Sequence, residues 1–272
     1  MTVATVVWGV VLAVGVLWSV RSGEPTAREQ TTVAQALPTV DRAAAEVALA
    51  ALADGHSVVA VSGFDRLEQC RVTVARSGVR YQRLVTAFVP VGTETALLDR
   101  VAAALPKRYE ASLRRGAAPR LLADAGLFVQ LTGSVPAPGR VRFVLDTGRC
   151  RPEGDLAAAE RAAGGAANGA PGGLDPVGSI RAPVEAILTT LGVTAPQYWT
   201  HRIVCPNGAP LSTVEAGGRP GADAGPLDAA LKAVSAAPVL SAPDVYAYRD
   251  GPVGVAVRSV DGRVIATATT SC

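Results

Sequence analysis

Along the chain, apolar positions fall into three regimes, and the first decides the class. From Val3 to Val20 the sequence VATVVWGVVLAVGVLWSV carries no charged residue. Eighteen residues in a helix reach ~27 Å, close to the hydrocarbon thickness of a bilayer. Trp8 and Trp18 sit near its ends, where indole rings favour the membrane interface. The pattern predicts a transmembrane anchor over residues 1–20. A cleaved secretory signal is the alternative, but no small-x-small site follows closely, and Ala34-Gln35-Ala36 lies too far downstream. A buried core helix is the third reading, and few soluble helices are apolar on every face.

Residues 21–37 are polar and without period, and read as a juxtamembrane tether. Beyond them apolar residues recur at helical or alternating spacing. TVDRAAAEVALAALADG reads as a helix capped by Thr39 and ended by Gly55. HSVVAVSGF is a strand leading to Cys70. RVTVAR and VRYQRLVTAFV are strand-like and joined at Ser77-Gly78. TETALLDRVAAALP is a helix with Leu97, Leu98, Val101 and Leu105 on one face. YEASLRR is a strand, and LFVQLTGSV and RVRFVLD form a hairpin that leads to Cys150.

The third regime, residues 151–182, is rich in Gly, Ala, Asn and Pro and reads as a linker with one short helix near 155–163. After it the order recurs. Pro183 opens a helix with Val184, Ile187, Leu188 and Leu191 on one face. QYWTHRIV is a strand ending at Cys205, STVEA a short strand, PLDAALKAVSAAP a helix and VYAYRDG a strand. GVAVRSV and RVIATAT form a hairpin across Asp261-Gly262, a type I′ signal, and Cys272 follows.

The expected architecture is therefore α+β: an N-terminal transmembrane helix, then two small duplicated modules with antiparallel sheets, residues 38–150 and 183–272. Under duplication each module is closed by its own disulfide, Cys70–Cys150 and Cys205–Cys272. Spacing alone leaves three pairings open.

The cysteines also bear on location. No Lys or Arg precedes the apolar run, whereas Arg21 and Arg28 follow it. Taken alone, flanking charge would put the bulk of the chain in the cytoplasm. Four spaced cysteines without a CxxC pair point instead to disulfides in an oxidising compartment. They outweigh the flanking charge here, and the expected location is the cell membrane, with the C-terminal bulk extracytoplasmic.

Composition adds little chemistry. Net charge is +3 and aromatics make up 4% of the chain, which argues against a nucleic-acid partner. Lys occurs only at positions 107 and 232, so the basic residues are almost all Arg. HExxH, GxSxG, Walker A, GxGxxG and EF-hand patterns do not occur. His201 and Cys205 form only a lone H-x3-C pair, too little for a metal site, and neither a metal nor another cofactor is expected. His56 follows a helix-ending Gly and reads as a solvated turn residue. His201 reads as a structural residue beside Tyr198 or Trp199. The one charge feature is an Arg-rich first module, with Arg71, Arg76, Arg80, Arg83, Arg108, Arg114 and Arg115 as candidates for contact with an anionic surface. A solvated Arg-rich face is the plainer reading of the same residues. The expected function is a binding or scaffolding module of the cell envelope, its partner another envelope protein or an anionic envelope polymer. An envelope-acting hydrolase is the alternative.

Overall fold

The computed structural model describes residues 2–22, 31–73, 76–162, 176–222, 224–235 and 237–272. Residues 23–30 of the expected tether and 163–175 of the expected linker lie outside the described residues.

Helix α1 (Thr2–Ser22) contains the apolar run. Its described side chains, Val7 to Val16 and Trp18, are exposed. Among the described residues no helix is long and apolar enough to cross a membrane.

The first module begins with α2 (Val33–Leu52). Its start differs from expectation: Thr39 is a buried position inside the helix, and the N-cap is Thr32. The Thr32 hydroxyl accepts from Gln35 N–H at 3.2 Å, and the Gln35 side chain accepts from Thr32 N–H at 2.9 Å. This reciprocal capping box satisfies two donors that the helix leaves unpaired, and Pro38 lies inside the helix further on.

Strands β1 (Val58–Arg71) and β2 (Ser77–Phe88) form a hairpin. Helix α3 (Glu94–Ala104) and a 3-10 turn at Lys107–Tyr109 then carry the chain to the far side of the sheet. There β3 (Ser112–Arg114), β4 (Arg120–Asp124), β5 (Gln130–Ala137) and β6 (Arg140–Asp146) meander back until β6 pairs with β2. The sheet order is β1-β2-β6-β5-β4-β3, antiparallel throughout.

A short helix, α4 (Leu156–Ala162), follows as expected. Helix α5 (Pro176–Thr190) opens the second module about two turns before Pro183. Ile180, Val184, Ile187, Leu188 and Leu191 make its buried stripe. The remaining elements are β7 (Gln197–Val204), β8 (Pro210–Gly218), α6 (Leu227–Ala230), β9 (Leu240–Ala242), β10 (Val245–Asp250), β11 (Val253–Val260) and β12 (Arg263–Thr269). Their sheet order, β7-β8-β12-β11-β10-β9, repeats the first strand for strand. A two-residue turn with positive φ at Asp261 (50°) and Gly262 (72°) joins β11 to β12, as the Asp-Gly pair predicts. The expected helix at PLDAALKAVSAAP shrinks to the four residues of α6.

Each module holds one disulfide. Cys70–Cys150 and Cys205–Cys272 both have Cα atoms 5.8 Å apart. Each ties the outer strand, β1 or β7, to the segment leaving β6 or β12. With partners 80 and 67 positions apart in sequence, the chain-entropy estimate is roughly 4 kcal/mol per bridge.

The two modules dock through β1. Its run Val58-Val59-Ala60-Val61 is buried on both faces. Val59 and Val61 join the first core with α2, while Val58 and Ala60 pack with Phe88 against Leu240, Val245, Ala247 and Ala256 of the second sheet. The second sheet alternates in the same way. Tyr246, Tyr248, Val255 and Val257 face the core under α5, and the smaller Ala247 and Ala256 face β1. Small side chains on that face let the two sheets approach closely. Ile203, Cys205 and Leu211 of the second module join the core of the first. Arg140–Asp244 at 2.9 Å and Arg249 Nη1 to Ser57 O at 3.0 Å cross the junction.

Candidate functional site

The junction concentrates the ionisable groups. Along β2, Tyr81, Arg83, Val85 and Ala87 share one parity, so Arg83 points the way the apolar residues do. It is 2% exposed. Its Nη1 donates to the Asp41 carboxylate on α2, its Nε donates to Ser62 O at 2.8 Å, and its guanidinium lies 4.5 Å from the Phe64 ring centroid. Burial outweighs this pairing and pushes the Asp41 pKa up to about 6.

His201 on β7 completes this group from the other module. It lies against Gly63 of β1: a Cβ at position 63 would stand 2.7 Å from His201 Cε1 and 3.0 Å from Nδ1. Burial, helped by the Arg83 charge, pushes the His201 pKa down to about 4. The imidazole is therefore neutral across the physiological range. Burial also raises the carboxyls of Asp65 on β1 and Glu215 on β8, and Arg258 on β11 offsets part of the rise at Glu215. Chemically, the seam is a buried ion pair beside a neutral imidazole, and with Arg83 and Asp41 both buried it offers a reagent little access.

Cavities among the described residues lie elsewhere. One of about 320 Å³ lies between the modules, lined by Gly55, His56, Pro90, Pro238, Val239 and Arg249. A second, about 530 Å³, lies over α6 beside Tyr246 and Lys232. The third, about 190 Å³, adjoins the first disulfide. His56 is exposed, and its N–H donates to Asp54 Oδ1 at 3.0 Å. Among the described residues no three His, Cys, Asp or Glu side chains gather to hold a metal ion.

The arginines proposed for anionic contact do not form one patch. Arg83 is sealed in the seam, and its charge is taken up by Asp41, so it cannot meet an external surface. Arg80 pairs with Asp146. Arg71 and Arg76 flank the β1–β2 turn and are exposed. Arg108, Arg114 and Arg115 are exposed around β3, at the opposite edge of the sheet. Five strand spacings, roughly 24 Å, separate the two edges. At the β3 edge, Arg114 stands directly opposite Arg120, a like-charge pair that costs stability. Arg115 pairs with Asp99, while Arg108 lies 3.7 Å from Glu46 and over the Tyr109 ring. Arg120 enters this group only through the register of β4, which the apolar pattern around RLLAD did not suggest as a strand.

No family model matches the chain, and no curated protein matches it.

Proposed function

We propose that this protein is a membrane-anchored binding protein of the cell envelope. In this reading the full apolar run from Val3 to Val20, of which only Val7 to Val16 and Trp18 have described side chains, crosses the membrane, and both modules lie on the extracytoplasmic side and act as one rigid body. The observation that carries it is the pair of disulfides, one in each of two docked modules, behind an apolar N-terminal helix. Such bridges persist in oxidising compartments. The exposed Val, Leu and Trp side chains of α1 support burial in lipid.

The surface this reading favours for contact is the β3 edge. Arg108, Arg114, Arg115 and Arg120 gather there, and an anion lying across Arg114 and Arg120 would relieve their mutual repulsion. The partner class is an anionic headgroup or polymer of the envelope. Charge on this strand also protects a sheet edge from pairing with other chains.

Two measurements test the reading. Fused to the C-terminus, alkaline phosphatase should be active and a cytoplasm-only fluorescent reporter dark; the reverse pattern refutes the topology. The full chain should sediment with vesicles containing anionic lipid at low salt and be released at higher salt. Replacing Arg108, Arg114, Arg115 and Arg120 by Gln should reduce that recovery severalfold. Unchanged recovery removes the β3 edge from the proposal.

A further inference from the structure

The cavity beside the first disulfide has features that the reading above leaves unused. It lies between the β4–β5 turn and the segment that carries Cys150, lined by Phe128, Gln130, Gly148, Arg149, Cys150 and Arg151. Its wall is strained. Leu127 (φ 51°) and Phe128 (φ 57°) are consecutive non-glycine residues in the left-handed region, which L side chains disfavour. Both are also 48% exposed, so no apolar burial compensates them fully.

The turn is held by backbone bonds from Ala125 N to Val129 O and from Val129 N to Gly126 O, both 2.9 Å, and by Arg151 Nη2, which donates to Leu127 O. Gly148 lies directly under the Phe128 carbonyl, where a Cβ would collide with it.

Arg151 is the second unusual element. It is 3% exposed, its guanidinium lies 5.7 Å from the Phe128 ring centroid, and its Nη1 has no acceptor among the described residues. The acid that acts on it, Asp146, is occupied by Arg80 and by Gly148 N–H. A buried cation with an unused donor is costly to keep. The exposed Arg149 adds a second positive charge at the rim.

We propose that this pocket binds a carboxylate bearing one short apolar or aromatic group. The carboxylate accepts from the Arg151 guanidinium with Arg149 at the rim, and the apolar group lies on Leu127 and Phe128. An Arg–carboxylate pair is favoured because the fork of donors matches two oxygens. At about 190 Å³ the pocket is smaller than those that enclose drug-sized ligands, roughly 300 Å³ and upward, so it takes a fragment the size of one residue. Nη1 lies beneath the surface, so entry requires the Leu127–Phe128 turn to lift. The incoming oxygen then replaces the Leu127 carbonyl as acceptor from Nη2, and the strained turn relaxes. The site stands wherever the chain resides in the cell.

N-acetylphenylalanine and its C-terminal amide, each titrated to about 10 mM into the full disulfide-bonded chain and followed by calorimetry, provide the test. The acid should bind at least tenfold more tightly than the amide. Arg149→Gln, at an exposed position, should weaken the acid severalfold and leave the amide unchanged. Arg151→Gln should abolish acid binding, and if that variant does not fold, the acid–amide comparison and Arg149→Gln still decide. A short peptide ending in a free Phe carboxylate separates the sources: its binding assigns the pocket to chain ends, and binding of the free acid alone assigns it to small acids. Equal binding of acid and amide, or binding of neither, overturns the site.

Discussion

Acidification should destabilise the protein through His201 and stabilise it through Asp41, and a single substitution separates the two. His201 titrates at about 4 in the folded chain against 6.5 ordinarily. The unfolded state therefore binds more protons between those values, and stability falls as pH drops through that window. Asp41 moves the other way, from 3.8 to about 6. The folded state takes up its proton first, and stability rises as pH falls from about 6 toward 4. Going from about pH 7.5 to about pH 5, linkage gives a loss of ~2 kcal/mol through His201 and a gain of ~1.4 kcal/mol through Asp41. Part of the imidazole meets solvent, so the His201 figure is an upper bound. Wild type should thus lose a few tenths of a kcal/mol from this pair, while His201→Gln keeps only the Asp41 gain. Relative to wild type, the variant should improve by up to ~2 kcal/mol across the interval. Urea unfolding of both proteins at several pH values, with disulfides intact, measures this difference, and carboxylates outside the seam cancel in it. Parallel pH profiles would refute the burial of a neutral imidazole against Gly63.

Removing the second bridge with Cys205→Ala and Cys272→Ala should cost roughly 2–4 kcal/mol in the same unfolding assay, and non-reducing peptide maps of wild type should show no crosslink between Cys70 or Cys150 and either of these. A Cys150–Cys205 peptide would mean that the modules are intertwined. Ala256→Leu, at a fully buried position facing β1, should cost about 1–3 kcal/mol by overpacking the junction. A neutral result by thermal unfolding would show that the sheets can separate there without loss.

Local pattern carries much of this fold. The Asp261-Gly262 turn, the Leu97/Leu98/Val101 stripe and the short helix in the Gly/Ala-rich segment each depend on residues within a turn or two of one another. The cysteine pairing followed from the repeated order of elements, and the structure places one bridge in each module. Two further features were present in the sequence but masked by a competing signal. Thr32-x-x-Gln35 is a capping box, and Thr39 seven residues on offered a competing N-cap. The parity of Tyr81, Arg83, Val85 and Ala87 puts Arg83 on the buried face, whereas charge alone suggested the surface. The strand expected at YEASLRR shrinks to the three residues of β3, while β4 and β9 are short and their sequences look no different from loop; they become strands because neighbouring strands offer unpaired backbone groups. The docking of β1 across the second sheet, the seam of Asp41, Arg83 and His201, and the pocket at Arg151 came only from tertiary structure. Each joins residues far apart in the chain, and no local period records which buried face meets which. That choice depends on fitting small side chains such as Ala60, Ala247 and Ala256 together while leaving a partner for almost every buried charge.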